Sequence, residues 1–323
     1  MTARVFIDGE AGTTGLQIRQ RLEARRDIEL LHLSDAERKD PARRAEMLNA
    51  ADVSILCLPD GAAREAVAML ENPGARVIDA STAHRTLDGW TYGFPEYAPE
   101  RPYEIAASSR VTNPGCYALG AVSMLHPLVE AGLLPPDHPV TINAVSGYSG
   151  GGRKLIAAFE DPDAPDATDA DFYLYGLDLE HKHVPEIQKH GSLTTRPLFV
   201  PSVGSFAQGM IVSLPLQLWA LPGKPKPSKI HDALAEHYAD ESGSQGVTVA
   251  SLAESAAQKA HPLLSGQSLD AEALFGKDGV TLYVFGNESR EQAVVCAVLD
   301  NLGKGAAGQA VQNLELMLGL SHV

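Results

Sequence analysis

Cysteine is sparse in this chain. Among 323 residues it occurs only as Cys57, Cys116 and Cys296. An odd number at such wide spacings suits neither a disulfide framework nor a CxxC metal site, and reduced thiols in a cytosolic setting fit best. Positive charge is also short, with 26 Lys and Arg against 41 Asp and Glu and a net charge of −15. Affinity for a phosphate backbone needs clustered cations, so a general nucleic-acid binder is excluded. Missing too is any run of roughly 18 apolar residues, the length of a membrane span. The chain opens on the alternating stretch Arg4 to Asp8, without a basic region, apolar run and small-residue cleavage site, so no secretory signal is read. These absences describe a soluble, cytoplasmic protein.

What is present is a core. The 44% hydrophobic content at this length predicts two domains. Strands are read at Arg4–Asp8, Glu29–Ser34, Asp52–Leu58, Arg76–Ala80 and Glu104–Ser108, with helices at Leu16–Arg25 and Ala62–Leu70. That alternation predicts a parallel sheet covered on both faces. From about Val140 the texture changes to β-branched runs at 140–145, 210–218, 247–251, 280–285 and 292–299, which predict an α+β domain with a mixed sheet. The boundary is placed at 115/116, and a last amphipathic helix, within 304–323, is read from the spacing of Val311, Leu314, Met317 and Leu318.

Three stretches carry chemistry. Gly9, Gly12, Thr13, Thr14 and Gly15 lie between a strand and a helix, where missing Cβ atoms let backbone amides approach a pyrophosphate. The GxxGxxG spacing departs from the usual GxGxxG, and the strand-to-helix context strengthens it. At the end of the second strand Ser34, Arg38 and Lys39 suit the extra phosphate of NADP, against which Asp35 counts. In Thr112-Asn113-Pro114-Gly115-Cys116-Tyr117 a turn precedes an apolar helix, so Cys116 sits at a helix start that favours the thiolate. Cys57 and Cys296, inside strands, read as core.

A thiolate also needs a proton donor or acceptor. His181 and His183, two apart in an extended segment, project to one face, and Glu186 follows Pro185 at a helix start. No further Cys or His cluster completes a zinc site, so no metal is assigned. Asp79-Ala80-Ser81 with Arg85, and Ser146 ahead of the glycines 150–152 and Arg153, suit an anionic substrate.

Taken together, the glycine loop, Asp79-Ala80-Ser81 with Arg85, Asn113-Pro114-Gly115-Cys116-Tyr117, Ser146-Gly147-Tyr148-Ser149-Gly150, His181 to Ile187 and the closing Asp300 to Asn313 resemble the shorter subfamily of the N-acetyl-gamma-glutamyl-phosphate reductases. The resemblance spans nearly the whole chain. It implies a Rossmann-type nucleotide-binding domain joined to a semialdehyde-dehydrogenase-like α+β catalytic and dimerisation domain, with the last helix packed back on the first. It implies an NADP(H)-dependent oxidoreductase of arginine biosynthesis, a homo-oligomer (dimer or tetramer), with Cys116 accepting the acyl group and His181 or His183 as general acid/base. Ser81, Arg85, Asn113, Ser146 and Glu186 would face the substrate, while Asn287 and Asn313 would join the cofactor set. Two rivals stand beside it: the same chemistry on an aspartyl or aminoadipyl chain, and a nucleotide-binding regulator without catalysis.

Overall fold

A computed structural model describes residues 2–239 and 246–320. The chain forms two compact units, one running to Gly115 and resuming at Ala306, the other Cys116–Gly305. The first contains six strands: β1 (Ala3–Asp8), β2 (Ile28–Leu31), β3 (Val53–Leu56), β4 (Arg76–Asp79), β5 (Thr91–Tyr92) and β6 (Arg110–Thr112). They lie in the order β2-β1-β3-β4-β6-β5, every pairing parallel. A parallel sheet buried on both faces needs apolar side chains on both, and the central strands supply them. Val5, Ile7, Ile55 and Ile78 point into one core, Phe6, Leu56 and Val77 into the other.

The first of those cores is closed by the chain's last helix, Gly308–Leu318, through Ala310, Leu314 and Met317. Polar contacts fix its register: Arg25 Nη1 donates to Glu315 Oε1 at 2.6 Å, and Arg76 donates to the Met317 carbonyl. Of the terminal segment read as 304–323, residues 321–323 lie outside the described residues, as do Met1 and 240–245.

The strand read at Glu104–Ser108 is instead the helix Arg101–Ala107, and the sheet position goes to β6. Pro102 in the first helical turn and the helix-forming run Glu104-Ile105-Ala106-Ala107 explain the difference. Only Ile105 of this helix is buried, so its apolar signal was too short to show a period.

Among the described residues the second unit is built on seven strands: β7 (Thr141–Gly147), β8 (Phe172–Leu174), β9 (Leu198–Gly204), β10 (Met210–Gln217), β11 (Val247–Val249), β12 (Val280–Asn287) and β13 (Gln292–Leu299). Their order is β11-β12-β13-β10-β7-β9-β8, parallel at β11/β12 and β7/β9 and antiparallel elsewhere. Beneath it runs the helix Cys116–Glu130, whose residues 117–128 are all buried. Gly120 lets it approach the sheet closely, since a Cβ there would lie 2.8 Å from Val212 Cγ2. The alternation along β10 buries Met210, Val212, Leu214 and Leu216 on that side and leaves Ile211, Ser213, Pro215 and Gln217 less covered on the other.

Candidate active site

In the first unit the helix Thr13–Leu22 begins at the glycine loop. Its N-cap is Gly12, which offers no side-chain cap, so the amides of the first turn remain for a ligand. The loop is tight enough to demand glycine twice. At Gly9, with φ +95°, a Cβ would meet the Cys57 carbonyl oxygen at 2.3 Å, and at Gly15 it would meet the Gly9 carbonyl at 2.4 Å. Thr13 Oγ1 at the helix start is buried without a hydrogen-bond partner, and so is Arg38 Nε in the segment after β2. A glycine cradle under an open helix start, with orphaned donors on two residues, fits a dinucleotide carrying an extra phosphate. The second strand ends at Leu31, which leaves Ser34 in a turn, its hydroxyl donating to Glu37 Oε2 at 2.7 Å. Arg38 pairs with Asp35, and Lys39 is exposed.

The segment after β4 is an internal clamp. Asp79, fully buried, accepts from the Ser81 amide (2.9 Å), the Ser81 hydroxyl (2.8 Å) and His84 Nδ1 (2.6 Å), while the His84 ring stacks on Trp90. Arg85 Nε donates to the Asn113 carbonyl at 2.9 Å and its Nη2 to the Ala80 carbonyl. Asn113 is held from every side: its amide donates to the Asp79 carbonyl (2.7 Å), its Nδ2 to the Ala306 carbonyl (2.9 Å), and its Oδ1 accepts from Asn313 Nδ2 (3.2 Å). Asn313, fully buried, also donates to the Gly93 carbonyl and accepts from Gln309. Ser81, Arg85, Asn113 and Asn313 thus direct hydrogen bonds at the protein itself, and together they hold the turn that precedes Cys116.

In the second unit Cys116 is the first residue of its helix and is half-buried. Gly305 packs against it, with room for no side chain, since a Cβ would lie 2.8 Å from Cys116 Cβ. The segment carrying Gly305 is held by Asp300, which accepts from the Leu302, Gly303 and Gly276 amides and from Gln208 Nε2. Asn301 ties in the loop after β7 by donating to Ser149 Oγ at 3.0 Å. No disulfide joins the three cysteines. Burial pushes the Cys57 and Cys296 thiols up to about 12, with Asp79 and Asp8 adding at Cys57.

Around the histidines an aromatic cluster forms. His181 packs edge-on against Tyr117, Tyr175, Phe199 and His183, with centroids 4.9–5.8 Å apart. Its Nδ1 accepts from the His183 amide at 3.1 Å, and its Nε2 lies 3.5 Å from the Tyr175 hydroxyl. Tyr175 donates to the Tyr117 hydroxyl (3.2 Å), and Tyr117 donates to the Ser202 carbonyl (2.9 Å). Burial, then the Lys182 charge, lowers His181 to about 4, with Asp178 opposing. Burial lifts Tyr175 to about 12 and Tyr117 well above the tyrosine range, and charge on nearby Cys116 raises both.

The other second-unit residues divide. Ser146 is buried, its hydroxyl donating to the Gly147 carbonyl, and Glu186 is buried in the first turn of the helix Val184–His190. Asn287 stands apart. It ends β12 at the β12/β13 hairpin, where its Oδ1 accepts from the Arg290 amide. From there β13 runs eight residues, roughly 24 Å at about 3.4 Å per residue, before the chain reaches Asp300 and then Gly305 beside Cys116. Sequence reasoning gave no role to Asp79, His84, Tyr117, Tyr175, Asp300 or Asn301. Asp79 and Tyr117 lay inside motifs it quoted, whereas Tyr175 carried no local signal beyond its place six residues before His181. Among the described residues, no group of three or more His, Cys, Asp and Glu could hold a metal ion, and no helix is long and apolar enough to cross a membrane.

Two family models match the chain. Residues 4–105 match a semialdehyde dehydrogenase NAD binding domain, and residues 116–301 a semialdehyde dehydrogenase dimerisation domain. The chain is 55% identical to an N-acetyl-gamma-glutamyl-phosphate reductase of Burkholderia cenocepacia, covering 98% of this chain and 97% of that one. It is 53% identical to one of Brucella ovis, covering 99% and 100%. Among solved structures it is similar to aspartate semialdehyde dehydrogenase II from Vibrio cholerae, with a TM-score of 0.69 at 16% identity over 99% of each chain. It is also similar to the Candida albicans aspartate semialdehyde dehydrogenase with NADP, with a TM-score of 0.63 at 15% identity over 98% and 99%. The fold is therefore that of the semialdehyde dehydrogenases.

Proposed function

The chain belongs to the N-acetyl-gamma-glutamyl-phosphate reductase family, and from that premise we propose that it converts N-acetyl-L-glutamyl 5-phosphate to N-acetyl-L-glutamate 5-semialdehyde and phosphate in arginine biosynthesis, in the cytoplasm. The observation that carries the chemistry is the half-buried Cys116 at a helix start, next in the chain to Tyr117, against whose ring His181 and His183 pack. A helix N-terminus favours the thiolate. Cys116 attacks the acyl phosphate, the C–O bond to phosphate breaks, and the acyl group is held as a thioester, which divides one hard step into two. NADPH, when bound, supplies the hydride that reduces the thioester.

The nucleotide is assigned to Gly9, Gly12, Thr13, Thr14 and Gly15, with Ser34, Arg38 and Lys39 at its extra phosphate; the orphaned Thr13 Oγ1 and Arg38 Nε support that choice. Ser146 and Glu186 are assigned to the substrate, and His181 and His183 to the oxygen and proton chemistry at its carbonyl. Arg85, Asn113 and Asn313 act by fixing the turn before Cys116, and Ser81 by completing the Asp79 clamp. The less covered face of the second sheet, with Ile211 and Phe285, suits a second copy of the chain, supported by the dimerisation domain matched over it; light scattering would distinguish a dimer from a tetramer. The activity is tested by running the reaction in reverse with NADP, phosphate and the N-acetyl-glutamate, aspartate and aminoadipate semialdehydes. Preferential use of the first is the expected outcome, and preferential use of either other would overturn the assignment.

A further inference from the structure

The geometry points to His181 as a neutral hydrogen-bond donor that stabilises the oxyanion through Nε2–H, rather than as a base that changes charge. This deepens the thioester reading and rests on it. A neutral imidazole carries one proton, and the hydrogen bond at one nitrogen decides where it sits. At His181 the Nδ1 lone pair accepts the His183 amide at 3.1 Å, so the proton resides on Nε2.

The rest of the cluster agrees in direction. Tyr117 gives its proton to the Ser202 carbonyl and Tyr175 gives its proton to Tyr117, so the oxygen of Tyr175 marks the Nε2 side as a donor, and at 3.5 Å it is a weak acceptor that an oxyanion on Cys116, next to Tyr117, would displace. Protonating His181 would place Nδ1–H against the His183 N–H. The charged and titratable groups recorded around the ring are His183, Tyr117, Tyr175, Lys182 and Asp178. Only Asp178 favours an imidazolium, and it is outweighed by burial and Lys182.

The loop is shaped to hold this arrangement. Gly176 (φ +61°) and Leu179 (φ +64°) both take left-handed backbone, costly for a leucine. Arg196 holds Leu179 there by donating to its carbonyl at 3.0 Å while pairing with Glu180 at 2.9 Å. Tyr175 is therefore a positioning residue for the ring.

The reaction balances with such a donor. Thiolate attack on the acyl phosphate makes a tetrahedral oxyanion that collapses with loss of phosphate, and the one proton consumed overall goes to that phosphate. Hydride addition to the thioester makes a second oxyanion, which collapses to the aldehyde and regenerates the Cys116 thiolate with no proton required. Both oxyanions need a donor in place beforehand, and neither needs an imidazolium.

The test is NMR of the full-length enzyme carrying isotope-labelled histidine, with His181 assigned by comparison with His181→Gln. The expected result is a neutral Nε2–H tautomer whose signals do not titrate between pH 8 and 5.5. Alongside it, Tyr175→Phe should perturb the His181 Nε2 signal, and His181→Gln, which keeps a donor, should retain more activity than His181→Ala. The alanine variant should fall by about 10² to 10³, the usual cost of one oxyanion donor. A His181 that titrates near its ordinary value, or that carries its neutral proton on Nδ1, would overturn the proposal. The resonance is read without turnover, so a failure here is distinguishable from failure of the thioester reading, which shows instead as full activity in Cys116→Ser.

Discussion

The two units each carry a buried polar network, and the networks are opposite in kind. In the first, Asp79, Ser81, His84, Asn113 and Asn313 hydrogen-bond to one another and to groups of the same unit, and Arg85 donates to the Asn113 and Ala80 carbonyls. In the second, the chain through Tyr117, Tyr175 and His181 ends on groups that are half-buried or exposed. A network closed on itself holds backbone in one geometry, whereas one that ends in reach of solvent can meet a ligand. The comparison separates residues that shape the turn before Cys116 from those proposed to face the reaction.

The sharpest way to break the comparison is at Cys116. Cys116→Ser should reduce turnover by 10³-fold or more on the order seen when a nucleophile is lost, with NADPH binding by fluorescence titration unchanged. Next in size is the closed network. Asn313→Ala leaves the Gly93 carbonyl and Asn113 Oδ1 without their donor and should cost about 1 to 3 kcal/mol per unsatisfied group, read by chemical denaturation. If it instead left stability intact and raised only the Michaelis constant for NADPH, Asn313 would belong to the cofactor set and the division would fail.

The landmarks on either side of this division, though not the division itself, were legible in the chain. Gly9, Gly12 and Gly15 announced a tight strand-to-helix turn, and Cys116 was marked by the Asn-Pro-Gly turn before it and the unbroken apolar helix after it. The long strands of the second unit showed themselves through β-branched alternation; Gln292–Leu299 was read to the residue. What sequence could not give was the direction of side chains in buried networks. Arg85 looked like an anion ligand because arginine so often is one, yet it donates to the Asn113 and Ala80 carbonyls. Tyr175 meets His181 only because Gly176 and Leu179 turn the backbone between them.

Smaller effects sharpen the cofactor side. Replacing Arg38 and Lys39 with Ala should raise the Michaelis constant for NADPH while that for NADH stays nearly unchanged; equal losses would refute their place at the extra phosphate. Stability should also report on His181. Its folded value of about 4 lies below the ordinary 6.5, so the native state prefers the neutral ring, and that preference stabilises above pH 6.5 and fades as pH falls from 6.5 toward 4. Denaturation at pH 7 and pH 5 should show a steeper loss in wild type than in His181→Gln. The least effect is expected at Cys296→Ala, a core position with its thiol raised to about 12, which should keep activity and cost about 1 kcal/mol.

The central claim is that Cys116 carries the acyl group before any reduction takes place. It is tested by mixing enzyme with N-acetyl-glutamyl phosphate in the absence of NADPH, then measuring phosphate release by rapid quench and the mass of the peptide containing Cys116. The account predicts a burst of phosphate matching the number of active sites and an acyl adduct on Cys116 that vanishes when NADPH is added. Phosphate that appears only together with NADPH oxidation, with Cys116 unmodified throughout, would contradict it.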